Sequence, residues 1–369
     1  MKKFFNENDK QLFSMLSQQK FLCGVDPFSL TARGNIYTVE VHRPTEDYRF
    51  LHESAIIEYK GVLFASWYNN PRYELKGRCP IRGRRSYDGG KTWSEVEVIV
   101  DDESAKIMYC PPVYGICGGK LYMLINEMVG ADLIHALDLF VFDEKQDKFI
   151  KLWSKPIPFK LNTNVCVLPN GKLMLPGRIA ELDSFPTTPA VLISDSGKID
   201  GEWRLVKIAP SGRLLNGHNL VHPECSAIIN GDTVYMFCRN DRSCVPLVYI
   251  SKDFCETCSL YAHDIPFSSS QIYSGTLSDG RNYLIGNLLP DRKKLAIFFS
   301  SKTKMEFNKG FLLADNKSFI DYNGGQWSYP VAYESQGKLY VIYSGTIDLY
   351  GQESRGAILS VINLNDNIN

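Results

Sequence analysis

Lys60-Gly61-Val62-Leu63-Phe64-Ala65-Ser66-Trp67 sets a glycine turn directly before an apolar strand that runs into polar residues. The phrase recurs as Gly119-Lys120-Leu121-Tyr122-Met123-Leu124-Ile125 and as Asn170-Gly171-Lys172-Leu173-Met174-Leu175. It returns as Asn230-Gly231-Asp232-Thr233-Val234-Tyr235-Met236-Phe237, Asp279-Gly280-Arg281-Asn282-Tyr283-Leu284-Ile285 and Gln336-Gly337-Lys338-Leu339-Tyr340-Val341-Ile342. The glycines fall at 61, 119, 171, 231, 280 and 337, so the spacings are 58, 52, 60, 49 and 57 residues. A glycine in a tight turn between alternating strands signals a β-hairpin, because the primed turns need positive φ. Another short strand precedes each turn, such as Ser54–Glu58 or Ser226–Ile229, and a further one usually follows, such as Leu247–Ile250 or Leu295–Phe299. Six such units, each with room for four strands, predict an all-β chain: a six-bladed β-propeller of four-stranded antiparallel blades.

The period-2 pattern excludes a helical solenoid. Only residues 7–20 look helical, which predicts an N-terminal extension over 1–34 with a short helix and one propeller domain over 35–369. A closed ring needs a strand from one terminus to finish a blade begun by the other. The alternating Ile36–Val41 is expected to do this beside Ala357–Ile362.

Composition narrows the partners. The 369 residues are 44% hydrophobic and carry 41 basic against 41 acidic side chains, which argues against nucleic acid as the main partner. No run approaches the roughly 18 apolar residues of a membrane span. The opening Met1-Lys2-Lys3-Phe4-Phe5 imitates a signal peptide, but Asn6-Glu7-Asn8-Asp9-Lys10 stands where its apolar stretch should be. With Met1 as the native start, a cytoplasmic protein is expected. Ten cysteines in a chain this long read as free thiols, and Cys255-Glu256-Thr257-Cys258 is a lone CxxC with no second ligand pair.

Ser86-Tyr87-Asp88-Gly89-Gly90-Lys91-Thr92-Trp93 fits the pattern Ser-x-Asp-x-Gly-x-x-Trp. Its Asp can accept backbone N–H groups within a tight turn, its Gly supplies the special φ, and its Trp packs into a blade. Worn copies stand at the same place in other repeats: Ser194-Asp195-Ser196-Gly197, Ser251-Lys252-Asp253 and Ser300 to Phe307. This pattern is the Asp-box, and with the repeats the chain resembles the sialidase (neuraminidase) superfamily of BNR/Asp-box propellers over about residues 45–364. The box speaks for the fold; function has to come from a site.

In a propeller the first strand of each blade lines the central channel. Polar residues at those strands are His52-Glu53, Tyr109, Asn162, Asn164, His222-Pro223-Glu224, Gln271, Tyr273 and Trp327-Ser328-Tyr329. From these, His222, Tyr109, Asn164 and Tyr273 are expected to bind substrate. The resemblance implies more. His222-Pro223-Glu224-Cys225-Ser226, followed by Arg239 after 15 residues, looks like the sialidase arrangement of a Glu facing a Tyr nucleophile beside a carboxylate-binding Arg. By the same likeness Arg292, in Asn287-Leu288-Leu289-Pro290-Asp291-Arg292, is a second carboxylate ligand, and Tyr329 is the nucleophile. A guanidinium fork suits an anionic sugar, and Tyr nucleophiles are the sialidase exception among retaining glycosidases.

The chain departs from the family at two points. The first carboxylate-binding Arg, in an Arg-Ile-Pro motif, is replaced by Leu51-His52-Glu53-Ser54-Ala55, with His52 in its place. The acid/base Asp of the following loop is missing, and Glu74 in Pro71-Arg72-Tyr73-Glu74-Leu75-Lys76 is the nearest candidate. His52 could serve as acid/base itself. Both changes point to a substrate other than an ordinary sialoside. No metal or cofactor is implied, since the six histidines show no ligating spacing. Three readings stand: an exo-glycosidase removing an acidic sugar from a glycan by a retaining mechanism, a hydrolase or lyase of uronic-acid or plant-polysaccharide linkages, and a non-catalytic glycan-binding propeller.

Overall fold

The computed structural model describes residues 1–130, 133–179, 187–318, 322, 325–349 and 351–365. All six glycine phrases form antiparallel hairpins, and each repeat glycine has φ between +59 and +87. Positive φ at these turns lets the two strands leave with matching twist. Each hairpin is extended outward into a meander, for example Met108–Cys117, Lys120–Gly130, Leu133–Asp143 and Lys148–Lys155.

The hydrogen-bonded ladders make five sheets rather than the expected six separate four-stranded blades. Two have four strands and two have five, while the last and first repeats run together into one sheet of eight. Their junction is a single parallel pairing, Arg355 against Phe50. The strand Tyr37–His42 pairs antiparallel with Gln352–Asn363, so the N-terminal side of the first repeat finishes the last one, as the sequence pattern predicts.

The predicted helix over 7–20 is shorter. It spans Glu7–Met15 behind a capping box in which Asn6 and Asp9 bond each other's backbone N–H. Leu16 is extended, and Gln18–Gln19 adds a parallel fifth strand beside Ala262 and His263. Covering that sheet edge outweighs the local helical pattern. Phe5, Leu12, Phe13 and Leu16 join the buried cluster around Met236, Val245 and Leu247, which ties the segment to the fourth repeat.

The Asp-box is a hydrogen-bonded turn. Ser86 Oγ donates to Asp88 Oδ1 (2.8 Å), Gly90 N donates to Ser86 Oγ (2.9 Å), and Thr92 donates through N (2.9 Å) and Oγ1 (2.6 Å) to the Asp88 carboxylate. The worn copy repeats this pattern with Ser251, Asp253, Cys255 and Thr257, at 2.8, 2.8, 2.9 and 2.6 Å. Cys255 takes the glycine place at φ +72, so the CxxC begins at a turn position of the box.

Candidate active site

Residues at or near the start of several inner strands line a cavity of about 320 Å³. Phe50–Tyr59 brings His52 and Glu53, the entry to Cys225–Asn230 brings His222 and Glu224, and Trp327–Ser335 brings Tyr329. Lys160, Arg178, Arg239, Arg292 and Arg355 add five cationic side chains, and Glu74 reaches in from the loop after Val62–Asn70.

At the centre lies a closed triangle of hydrogen bonds. Tyr329 Oη donates to Glu224 Oε1 at 3.0 Å. Arg239 Nη1 donates to Glu224 Oε2 at 2.9 Å and to Tyr329 Oη at 2.8 Å. Arg178 Nη1 lies 3.6 Å from Glu224 Oε1. Asp241, which the sequence reading passed over, holds the arrangement from behind. Its carboxylate lies 2.8 Å from Arg239 Nε and accepts the backbone N–H of His222 at 2.7 Å.

The electrostatics follow from burial against these cations. Burial alone would raise the Glu224 pKa, but Arg239 and Arg178 outweigh it and hold the carboxyl below its ordinary range. Tyr329 moves the other way: burial, then the Glu224 charge, pushes its phenol well above its usual value. The resting pair is therefore phenol and carboxylate.

His52 is buried beneath this pair, its ring 4.0 Å from that of Tyr329 and its Nδ1 3.2 Å from Ser344 Oγ. Burial, then the charges of Arg355, Arg292, Arg239 and Lys160, holds its pKa well below the imidazole norm. His52 therefore rests as the neutral imidazole at neutral pH. Glu74 is exposed and accepts a hydrogen bond from Tyr68 Oη at 3.1 Å. Arg292 donates to Ser269 O at 2.9 Å, with its guanidinium 5.7 Å from the Tyr329 ring centre.

Tyr329, Glu224, Glu74, His52, Arg239, Arg292 and His222 thus surround one cavity. Three residues expected to bind substrate do not join them. Asn164 and Tyr273 lie at the opposite mouth, where Asn164 Nδ2 donates to Tyr273 Oη (2.7 Å) and Tyr273 Oη donates to Ala332 O (2.9 Å). Tyr109 is buried among Met108, Met128 and Ile134. Asn164 lies in the irregular stretch between Phe159–Leu161 and Cys166–Val167, and Tyr273 opens the strand Tyr273–Thr276.

Arg355 also escaped the sequence reading, because it belongs to Gln352–Asn363, the third strand of its meander. The parallel pairing with Phe50 brings it to the cavity, its guanidinium 4.6 Å from the Phe50 ring centre. Arg355 thereby joins Arg178, Arg239 and Arg292 as the fourth arginine of the cavity.

The family of BNR repeat-like domains matches residues 134–341. No curated protein matches the chain in sequence. A solved protein of unknown function from Dyadobacter fermentans superposes with a TM-score of 0.68 at 15% identity, covering 89% of this chain and 99% of the other. Trypanosoma rangeli sialidase in complex with sialic acid superposes at 0.66 and 14% identity, covering 92% of this chain and 60% of the enzyme. The NanB sialidase of Streptococcus pneumoniae gives 0.62 and 11%, covering 87% and 70%. At such identities the likeness establishes the propeller fold, and chemistry rests on the cavity.

Proposed function

The chain belongs to the BNR repeat-like domain family, whose sialidase-like propeller it shares, and on that premise we propose that it is a retaining glycoside hydrolase that removes an acidic sugar from a glycan. In this reading the eight-stranded sheet counts as two blades, which makes six around the ring. The observation that carries it is the triangle of Tyr329, Glu224 and Arg239.

Each part has a chemical task. Arg239, Arg292 and Arg355 bind the sugar carboxylate, which a planar guanidinium can grip through two parallel hydrogen bonds. Tyr329 Oη attacks the anomeric carbon while Glu224 accepts its proton. A neutral phenol approaches a centre bearing a carboxylate without the repulsion that an Asp or Glu nucleophile would meet. Carboxylate binding also draws on the charge of Arg239, which weakens its hold on Glu224 and makes that group a better base.

The test is a panel of aryl glycosides of sialic acid, other keto-acid sugars and uronic acids. Turnover of at least one acidic glycoside is expected, with a fluorinated analogue leaving a covalent sugar on Tyr329 that peptide mass spectrometry reads. Silence of the whole panel, with no labelled Tyr329, refutes the proposal.

A further inference from the structure

The inner strand Phe50–Tyr59 breaks its register between His52 and Ala55, so Glu53 and Ser54 bulge out of the ladder. Trp327–Ser335 breaks in the same way between Ser328 and Val331, and its bulge holds Tyr329 and Pro330. The two bulges are equivalent, and each turns its first residue into the left-handed region: Glu53 at φ +44 and Tyr329 at φ +55. For a non-glycine residue this conformation is strained, and bulges of this kind re-aim a side chain. One bulge presents Tyr329 to the cavity, and the other presents a carboxyl group there.

That carboxyl is buried, with Glu53 only 9% exposed. Its one hydrogen-bond contact among the described residues is the Cys110 thiol, at 3.9 Å. The charged and titratable groups facing it are Lys160, Arg178, Glu224, Glu74, Cys110 and Tyr329. Glu224 is bonded to Tyr329 and Arg239, and His52 is held neutral. Among the described residues Glu53 has no hydrogen bond to a charged side chain, although Lys160 and Arg178 act on it through their charge.

We infer that Glu53, rather than Glu74 or His52, is the general acid/base of this site, a role that rests on the glycoside hydrolase reading. In the first step the Tyr329 oxygen bonds to the anomeric carbon and its proton passes to Glu224. The glycosidic C–O bond breaks, and the Glu53 carboxylic acid protonates the departing oxygen. In the second step the Glu53 carboxylate takes a proton from water, whose oxygen displaces Tyr329, and Glu224 returns the first proton to the phenolate. Protons and electron pairs balance, and the sum is hydrolysis. Burial, assisted by the charges of Glu224 and Glu74 against those of Lys160 and Arg178, lifts Glu53 to about 7, so it can hold a proton at neutral pH.

The experiment compares wild type with Glu53→Gln and Glu74→Gln on acidic-sugar glycosides with a phenyl or a 4-nitrophenyl leaving group. Glu53→Gln should lose about 10²–10⁴-fold on the phenyl glycoside, where departure needs the proton. It should keep the first step on the 4-nitrophenyl glycoside, with azide restoring turnover as the glycosyl azide. If Glu74→Gln shows that pattern and Glu53→Gln does not, this inference falls while the Tyr329 reading stands. A wild type inactive on both glycosides brings down the hydrolase reading and the acid/base role together. Substrate-free difference infrared spectra between about pH 5 and 9 read the proton itself. A carboxylic-acid band titrating near neutrality and missing in Glu53→Gln is expected, and no Glu53-dependent band overturns the inference.

Discussion

The two mouths of the ring are built from the same inner strands, yet they differ in every property that matters for chemistry. At one, five cations and three carboxylates share about 320 Å³. At the other, about 540 Å³ is lined by apolar and aromatic side chains such as Ile57, Val165, Ile229, Tyr114 and Tyr283, with Glu334 the one charged residue among the described residues. Along Trp327–Ser335 the switch takes four residues, from Tyr329 to Tyr333, or roughly 13 Å of strand. The larger opening is the less equipped one. Its one carboxylate and its central amide already have partners: Glu334 accepts from Ser278 N and Oγ at 2.6 Å each, and Asn164, Tyr273 and Ala332 form a chain. Buried cations, buried carboxylates and a shared phenol proton gather at the smaller mouth.

The sharpest way to break this contrast is at Tyr329. Tyr329→Phe keeps the ring against His52 but removes the oxygen, and activity on any acidic glycoside should fall on the order of 10⁴-fold or more. Retained turnover would move the chemistry away from the charged mouth. Arg239→Ala comes next. It should weaken binding of the acidic sugar by about 1.5–3 kcal/mol, the scale of a hydrogen bond to a charged group. A neutral analogue of the same sugar should lose much less, and an equal loss for both would deny Arg239 a carboxylate partner.

How much of this contrast the sequence shows depends on the range of the contact. Hairpin glycines, the Asp-box and the closing strand Ile36–Val41 are local or repeated signals, and they predict what the structure contains. Glu224 and Arg239 were legible because they sit on neighbouring strands across one turn, and Tyr329 because the family likeness carries it. Asn164 and Tyr273 were misplaced because period-2 patterning does not give depth in the channel, and Asn164 stands outside any strand, between Phe159–Leu161 and Cys166–Val167. Arg355 was invisible for a different reason. It reaches the cavity through the parallel junction with Phe50, about 300 residues away in sequence, and no local pattern marks it. Glu53 was visible as a polar entry, but only the bulge shows where it points.

Buried charge also distinguishes the mouths through pH. The Glu53 pKa is raised in the folded chain, to about 7, above its unfolded value near 4.5. Between those two pH values the folded state binds more protons, so this group makes stability fall as pH rises through the window. Glu53→Gln removes that penalty. The variant should be more stable than wild type by about 1–3 kcal/mol at pH 8, with little difference at pH 4. Urea unfolding at the two pH values checks this, and a variant equally or less stable at pH 8 would show that the Glu53 charge is accommodated.

The smallest effect on activity belongs to the neutral mouth. Tyr273→Phe deletes a hydroxyl that accepts from Asn164 Nδ2 and donates to the buried Ala332 carbonyl. Tyr273 is itself only 4% exposed, so the carbonyl would lose a partner that water cannot readily replace. That should cost about 1 kcal/mol of stability, read as a lower thermal midpoint. The reacting groups stay where they are, because Ala332 lies three residues beyond Tyr329 and its backbone is also held by the pairing with Val341. Turnover and the affinity for acidic sugar should therefore remain within about twofold of wild type. A large loss of turnover with little loss of stability would mean that the two mouths are coupled through Trp327–Ser335, and that the neutral opening takes part in the reaction after all.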